Sequence, residues 1–282
     1  MPELPEVELL GRGLSRYISD STITAVEVIT PKVTRSDLKR VIGGRVLGVR
    51  RFGKMLCIDL SNAFSLAIHL KMTGRLIYRG KKQPAHLKVD EDLTTLPGKH
   101  THVVFTFRGG DKLYFNDIRR FGWVQAVKTS EVNRLPFVAK LGPEPGKTLN
   151  AQQFEAILRK IGRPVKLLLM DQERISGVGN IYANESLFCA KIRPDRKARQ
   201  LASSEAKVLF ECTLRVFEEG MKYGGSSTNA YRDVLGRKGQ YQEHYMVYDR
   251  EGKRCLREGC SGTIKKTMMG GRGTYFCTTC QR

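Results

Sequence analysis

Four cysteines close to the C-terminus have the spacing of a metal site. Cys255 and Cys260 enclose four residues, Cys277 and Cys280 enclose two, and sixteen residues separate the two pairs. Two close pairs at such a separation are typical of a Zn²⁺ ion held by four thiolates. We expect no export signal in the acidic N-terminal stretch, and a reducing compartment disfavours disulfides. The sequence therefore predicts one structural zinc ion.

The segment between the cysteine pairs, SGTIKKTMMGGRGTYF, predicts a β-hairpin with a glycine-rich tip. A short hairpin is marginal without further support, so the metal must supply the folding free energy. Arg272 would then be presented at the end of a rigid finger. From the finger alone, this residue is either a functional cation or an ordinary surface arginine.

Two predicted turns carry side chains that a turn does not need. HLKMTGRL and FNDIRRFG each follow an apolar run and place Met72 and Phe121 at the turn. Such side chains either pack in the core or insert as wedges between the base steps of DNA. Arg119 has the donors to pair with a base that has lost its partner. The sequence leaves both interpretations open.

A further candidate lies in SGVGNIYANESLF, where two glycines precede Asn180 at the start of a predicted helix. This arrangement aims backbone N–H groups at an anion such as a phosphate. Glycines at a helix start are also often only a turn, so the signal is weak by itself.

The charge balance indicates what kind of partner these residues would meet. The chain has 49 Lys and Arg against 28 Asp and Glu, a net charge of +21. This excess is larger than solubility requires, so a polyanion is the expected partner. No apolar run approaches the roughly 20 residues of a membrane span. We therefore expect a cytosolic protein that associates with nucleic acid.

Apart from the C-terminal finger, the candidate residues lie in two regions that differ in predicted secondary structure. Residues 22–128 contain short β-rich runs separated by glycines or polar residues, which is typical of an antiparallel sandwich or barrel. After LGPEPGKTLN, amphipathic runs predict helices up to about residue 223, so a boundary falls near 136–150. MPELPEVELLGRGLSRYI predicts an N-terminal amphipathic helix. The remaining cysteines, Cys57, Cys189 and Cys212, lie in apolar runs and are expected to be reduced core residues.

Several long strings resemble bacterial formamidopyrimidine-DNA glycosylases, in the same order along almost the whole chain. They are MPELPEVE, RRFGKML, HLKMTGRL, FNDIRRFG, VKLLLMDQERISGVGNIYANESLF and RGTYFCTTCQ. The resemblance implies an α+β fold: an N-terminal helix on an antiparallel β-sandwich, then a helical domain with a helix-two-turn-helix element and a C-terminal zinc-finger β-hairpin. The implied domains are a catalytic domain (1–135), a linker (136–150), a helical DNA-binding domain with a lesion-covering loop (151–243) and the zinc finger (244–282).

The resemblance also implies a catalytic set. After removal of Met1, Pro2 would present a secondary amine that attacks the sugar of a damaged nucleotide. Glu3 would donate a proton during base removal, and Glu6 would support the geometry. Lys54 matches a phosphate-contacting lysine assigned to β-elimination, and Arg272 matches the residue linked to δ-elimination. The implied activity is that of a bifunctional glycosylase and AP lyase in base excision repair, removing 8-oxoguanine and formamidopyrimidines.

The implied DNA-binding residues divide into two groups. Met72, Arg119 and Phe121 would fill the space that an everted nucleotide leaves, with Arg119 facing the remaining cytosine. The other group matches or lies near family positions on the phosphate backbone and consists of His100, Arg163, Lys166 and Asn180. The expected partner is damaged double-stranded DNA, bound by a monomer that is cytoplasmic and associated with the nucleoid.

Two departures from the family pattern affect these expectations. The first cysteine pair encloses four residues where two are common, which still fits a zinc finger. The lesion-covering loop is the segment GGSSTNAYRDVLGRKGQYQEH, residues 224–244. In this loop, Thr228 and Asn229 stand where apolar and basic residues are frequent in the family, so the preference among oxidised purines stays open. Two alternatives remain: an endonuclease VIII-type glycosylase for oxidised pyrimidines and a non-catalytic zinc-ribbon protein that binds nucleic acid.

Overall fold

The computed structural model describes residues 1–228 and 230–282, so Asn229 lies outside the described residues. The chain divides into two compact units, residues 1–139 with 221–242 and residues 140–220 with 243–282. The predicted helical domain, 151–243, differs from this division at residues 221–242. The physical reason is burial, because Tyr231, Val234 and Leu235 join the hydrophobic core of the first unit.

The first unit begins with helix α1 (Leu4–Ile18). Pro5 lies in its first turn, where a missing N–H costs nothing, and Glu6 Oε2 accepts a hydrogen bond from the backbone N–H of Glu3 at 2.8 Å. Val7, Leu10 and Leu14 recur at helical spacing and are buried. The helix predicted from the sequence is therefore confirmed.

Eight antiparallel strands form two four-stranded sheets in this unit. They are β1 (Ile23–Val28), β2 (Val46–Phe52), β3 (Met55–Leu60), β4 (Phe64–His69), β5 (Gly74–Arg79), β6 (Thr101–Phe107), β7 (Lys112–Asp117) and β8 (Trp123–Lys128). One sheet has the order β1-β6-β7-β5 and the other β2-β3-β4-β8. A single core cluster contains Leu56 and Ile58 of one sheet, Phe105 and Phe115 of the other, and Leu10 of α1. The predicted sandwich with an N-terminal helix is confirmed.

The second unit contains helices and the C-terminal hairpin. The short helix α2 (Pro136–Ala139) still belongs to the first unit. It is followed by α3 (Ala151–Arg159), α4 (Val165–Leu169), α5 (Asn180–Cys189) and α6 (Ser203–Lys222). Residues 221–222 at the end of α6 belong to the first unit. The hairpin consists of β9 (Ile264–Met269) and β10 (Arg272–Cys277). Among the described residues, no helix is long and apolar enough to cross a membrane.

One sequence prediction about the cysteines is wrong. Cys189 at the end of α5 and Cys212 in α6 form a disulfide, with their Cα atoms 5.7 Å apart. The packing of the two helices brings these atoms within disulfide range, which a separation of 23 residues along the chain does not reveal. Cys57 is free and fully buried as predicted, and burial raises the pKa of its thiol to about 12.

Candidate active site and nucleic-acid interface

The start of α1 holds the two N-terminal candidates in a buried setting. Pro2 is buried, and Glu3 exposes 3% of its surface. Glu6 is also buried and uses both carboxylate oxygens: Oε2 accepts from Glu3 N at 2.8 Å, and Oε1 accepts from Ser226 N at 2.9 Å. Glu6 therefore fixes the backbone of Glu3 and the start of the loop at 224–228, which agrees with its expected supporting role.

Lys54 lies in the turn between β2 and β3, immediately after Gly53, whose φ is +53°. It is 4% exposed, so the structure places it in an enclosed position and not at a solvated hairpin tip. Arg51 ties this turn to α1. Its Nε donates to Glu8 Oε2 at 2.8 Å and its Nη1 to Gly53 O at 3.0 Å. The helix that begins beside Pro2 is thus bonded to the turn that carries Lys54.

The two predicted wedge side chains are exposed. Met72 exposes 38% and Phe121 54% of its surface, although large apolar residues usually lie inside. The Arg119 guanidinium carbon lies 4.6 Å from the centre of the Phe121 ring, a cation–π arrangement. These side chains are therefore accessible at the surface, and their entry into a base stack stays a prediction.

The turns that carry these wedges are braced against each other by Asp117. Its Oδ2 accepts from Gly122 N at 2.7 Å, and its Oδ1 accepts from Arg119 N at 3.1 Å. The hydroxyl of Thr73 donates to Asp117 Oδ1 and accepts from Arg119 N at 3.0 Å. Because Thr73 directly follows Met72, one buried carboxylate positions both wedge turns.

His69 and His100 lie near these turns and differ in burial. His69 is buried at the end of β4, and its Nδ1 accepts from Lys71 N at 3.0 Å. Burial, followed by the charges of Lys71, Lys54 and Arg35, lowers the pKa of His69 to about 3, so it is neutral near pH 7 and cannot act as a general acid there. His100 is half-buried and lines a small pocket together with Asp117.

In the second unit, the side chains expected on the phosphate backbone have different surroundings. Arg163 is partly exposed and forms an ion pair with Asp171. Lys166 differs from expectation because it is fully buried. Its Nζ donates to Gly273 O at 2.9 Å and to Thr274 Oγ1 at 2.7 Å. The enclosed ammonium bonds β10, and its contact with a phosphate stays a prediction.

The first residues of α5 hold the same strand. Asn180 is half-buried at the first position of the helix, and its Nδ2 donates to Gly273 O at 3.1 Å. One turn later, Asn184 Oδ1 accepts from Tyr275 N at 2.8 Å. Together with the lysine of α4, these amides fix the strand that begins at Arg272, which is exposed directly after the tip glycines.

The four C-terminal cysteines converge as predicted. Their Sγ atoms all lie within 4.8 Å of one another, with Cys255 and Cys280 at 3.8 Å and Cys260 and Cys277 at 3.7 Å. Tetrahedral coordination with Zn–S bonds of about 2.3 Å separates the sulfurs by about 3.8 Å. The cluster therefore fits one structural zinc ion, which would tie the base of the hairpin together.

Sequence reasoning missed several residues that position the candidates. Arg51 and Asp117 lie inside strings that the resemblance uses, but their bonds to Glu8 and Thr73 join residues that are distant in sequence, and no local pattern reveals such pairs. Glu185 is a similar case. It is buried, its two oxygens accept the backbone N–H groups of residues 246–248 at 2.7–3.0 Å, and burial raises its pKa. The sequence signal for the buried position of Glu185 is that an acidic residue stands inside a mostly apolar helix.

Comparisons with known proteins agree with this geometry. Three family models match the chain: the formamidopyrimidine-DNA glycosylase N-terminal domain at residues 1–124, the formamidopyrimidine-DNA glycosylase H2TH domain at 141–232, and a zinc finger found in FPG and IleRS at 252–282. The first of these covers the N-terminal helix and the sandwich, and the last covers the cysteine cluster.

Individual relatives cover the whole chain. The formamidopyrimidine-DNA glycosylase of Pelotomaculum thermopropionicum is 40% identical over 288 residues, covering 100% of this chain and 99% of its own. The crystal structure of MutM (FPG) from Thermus thermophilus has a TM-score of 0.85 at 36% identity and covers 99% of this chain and 98% of its own. A Lactococcus lactis FPG mutant, solved with DNA containing Fapy-dG, has a TM-score of 0.86 at 31% identity with full coverage of both chains. The chain therefore belongs to the formamidopyrimidine-DNA glycosylase family, the DNA glycosylases of base excision repair.

Proposed function

We propose that this protein removes oxidised purines, 8-oxoguanine and formamidopyrimidines, from double-stranded DNA through a Schiff base at Pro2, and then nicks the strand by β,δ-elimination. One observation carries the proposal: the buried start of α1, where Glu6 fixes the backbone of Glu3, is bonded through Glu8 and Arg51 to the turn that holds Lys54. A purely structural core does not need bonds between these two places. A nucleophile and a second cation that act on one sugar need them, because both groups must be held in a fixed relative position.

The chemistry begins with the amine of Pro2 after removal of Met1. An α-amino group has a pKa of about 7.7–8.0 against about 10.4 for lysine, so a much larger fraction is the free base at neutral pH. The nitrogen attacks C1′ of the sugar, the glycosidic bond breaks, and the base leaves with a proton that Glu3 supplies. General acid catalysis of this kind contributes about two to four decades in rate.

The nitrogen then loses its proton, the C1′–O4′ bond breaks as O4′ takes up a proton, and the sugar ring opens to an iminium ion, which accounts for strand cleavage. It makes the C2′ proton acidic, and loss of that proton expels the 3′ phosphate in β-elimination. A second elimination expels the 5′ phosphate. In this proposal Lys54 serves the first elimination and Arg272 the second, both by holding the phosphate whose negative charge increases as it leaves.

The exposed wedge supplies access to the sugar. Eversion of a nucleotide costs a few kcal/mol in lost stacking and pairing, and Met72 and Phe121 offset this cost by filling the vacated stack. Arg119 pairs with the base that stays behind. The backbone of the DNA is held by His100, Arg163, Asn180 and Arg272, and we assign Lys166 to positioning Arg272 because its ammonium is enclosed.

The regions of the chain divide this work. Residues 1–135 carry Pro2, Glu3 and Lys54, residues 136–150 link the two parts, residues 151–243 bind DNA and cover the lesion, and residues 244–282 form the finger that carries Arg272. The bound zinc ion would be structural and supplies folding free energy to the hairpin. The Lactococcus lactis relatives bound to Fapy-dG-containing DNA support ring-opened purines as a substrate class. We place the protein in the cytoplasm at the nucleoid and expect a monomer.

The decisive test is covalent trapping. Borohydride added during reaction with a duplex containing 8-oxoguanine opposite cytosine should reduce the iminium and leave DNA attached to the N-terminal peptide. Pro2→Gly replaces the secondary amine by a primary amine and should trap weakly, whereas an acetylated terminus should not trap at all. A trapped peptide that maps to Lys54, with a free N-terminus, would refute the role of Pro2.

A second variant separates the two chemical steps. Glu3→Gln should abolish most base excision, by about a hundredfold or more, because the departing base loses its proton donor. Cleavage at a preformed abasic site should fall much less, since no base has to leave.

Thymine glycol opposite adenine serves as the comparison substrate that tests the alternative function. Faster cleavage of this duplex than of 8-oxoguanine opposite cytosine would favour the endonuclease VIII-type alternative.

A further inference from the structure

The lesion-covering loop returns to the sandwich along an edge strand. β5 is the last strand of its sheet, so one side of its backbone has no strand partner. Tyr78 N of β5 donates to Val234 O at 2.7 Å. Val234 and Leu235 are buried in the core beside this edge. Residues 230–238, which we call the returning segment, therefore cover the edge of β5.

Two arginines of β5 hold the returning segment. Arg75 Nε donates to Ala230 O at 2.7 Å, and Arg79 Nη1 donates to Leu235 O at 3.0 Å. Each arginine also reaches a second partner outside the loop: Arg75 Nη1 bonds Asp92 at 2.8 Å, and Arg79 Nη2 bonds Leu93 O at 2.9 Å. The arginines thus join the returning segment to the stretch at residues 90–93.

That stretch makes a second set of bonds to the returning segment. Arg232 Nε donates to Asp90 Oδ2 at 2.6 Å, and Lys238 Nζ lies 3.3 Å from Asp90 Oδ1. The Arg232 side chain is only 8% exposed, so this ion pair is largely shielded from water. Burial raises the pKa of Asp90, but the hydrogen bond and charge of Arg232 lower it more, and the net shift is downward. One carboxylate therefore joins two positions of the returning segment.

The other end of the loop is fixed to the catalytic helix. Ser226 N donates to Glu6 Oε1 at 2.9 Å. Gly225 has a φ of +83°, and a Cβ there would lie 2.8 Å from the Tyr231 ring and 3.0 Å from Glu6 Cγ, so only glycine fits. The loop is consequently held at Ser226 and again at Ala230.

We propose that Asp90, Arg232 and Arg75 form a clamp that pre-orders the lesion-covering loop and thereby sets the enzyme's preference for a nucleotide with a damaged base over an abasic site. The inference rests on the proposed function of this site. Ordering a free backbone costs free energy for each residue fixed, and a clamp removes that cost from the binding step. An abasic site has no base to cover, so its cleavage does not depend on the clamp. Asp90, Arg232 and Arg75 are positioning residues, since they act through the loop.

The kinetic test compares two substrates across a double-mutant cycle. Asp90→Ala, Arg232→Met and the double variant should each lower kcat/KM for release of 8-oxoguanine about tenfold, with the double variant no worse than either single one. Cleavage of a preformed abasic site should change less than about twofold. Asp20→Ala is the matched control, because it breaks an exposed ion pair with Arg45 in the same unit and should alter neither rate.

A second measurement separates failure of the clamp from failure of the proposed function. In the free enzyme, amide hydrogen exchange of peptides spanning 224–238 should be faster in Asp90→Ala than in wild type or Asp20→Ala. Unchanged exchange, equal losses on both substrates, or additive losses in the cycle would each overturn the clamp. Absence of borohydride trapping on an abasic site in the wild type would instead overturn the proposed function, and the exchange result would still decide the clamp.

Discussion

Two hairpins present the cations that we assign to elimination, and they are built in opposite ways. The β2–β3 hairpin is part of a four-stranded sheet and keeps Lys54 enclosed, at 4% exposure. The β9–β10 hairpin is a two-stranded sheet, and Arg272 is exposed at its tip. A cation inside a packed domain is positioned by the core around it. A cation on a two-stranded finger is supported by a smaller core and depends more on specific bonds.

The contacts of the two hairpins show this difference directly. β3 contributes Leu56 and Ile58 to the main core, and one arginine, Arg51, joins the turn to α1. The C-terminal hairpin packs Ile264 and Tyr275 into a smaller hydrophobic cluster, and it is also held by the cysteine cluster at its base and by polar side chains of α4 and α5 along β10. We therefore expect single substitutions to have large effects on the finger and small effects on the β2–β3 turn.

The largest expected effect is loss of the metal. Cys277→Ser removes one of four ligands, and since a short hairpin cannot stabilise itself, zinc and the ordered finger should be lost together. DNA affinity should fall by at least about a hundredfold because Arg272 is no longer held in place. Elemental analysis and affinity measurements would check both. Cys57→Ala, a buried cysteine of the sandwich, is the control and should keep its zinc. Well-folded wild-type protein without zinc would contradict the prediction.

The next effect concerns Lys166, whose ammonium bonds Gly273 O and Thr274 Oγ1. Hydrogen bonds from charged groups contribute about 1.5–3 kcal/mol each, so Lys166→Met should destabilise the hairpin by about 2–3 kcal/mol while zinc stays bound. Hydrogen exchange of β10 would measure this loss. Product analysis should show more strands that stop after β-elimination, because Arg272 is poorly placed for the second step.

Salt dependence separates this positioning role from direct contact with phosphate. The slope of log K against log salt reports the number of phosphates neutralised, and loss of one contact reduces it by about 1. If Lys166 only positions the hairpin, Lys166→Met should keep nearly the wild-type slope. A slope reduced by a full contact would show that the ammonium reaches DNA after all.

The same contrast explains what could be predicted from the sequence. The strands, α1 and the metal cluster follow from local patterns: alternation, helical spacing and cysteine pairs. The enclosure of Lys166, the disulfide between Cys189 and Cys212, and the bond from Arg51 to Glu8 each join residues that are distant in sequence. No periodicity encodes such pairs, because they exist only after the elements have packed.

The smallest expected effect is on the β2–β3 turn, and it should depend on pH. Burial raises the pKa of Glu8, but hydrogen bonds from Arg51 and Arg12 lower it more, so the net shift is downward. A carboxyl whose pKa is lower in the folded state stabilises the protein above its unfolded pKa, near 4.5, and that stabilisation is lost as the pH falls through the folded value. Glu8→Gln should therefore be less stable than wild type above about pH 5 and converge with it toward pH 3.

The magnitude should be modest because the Glu8 side chain is 27% exposed and water screens its charge. We expect a loss of about 0.5–1 kcal/mol in the free energy of unfolding at pH 7, measured by urea titration between pH 3 and 7. Arg51 still donates to Gly53 O in this variant, so β-elimination should fall less than about threefold. A stability difference that stays constant across the pH range would mean that Glu8 acts through packing, and the turn would then depend on its core alone.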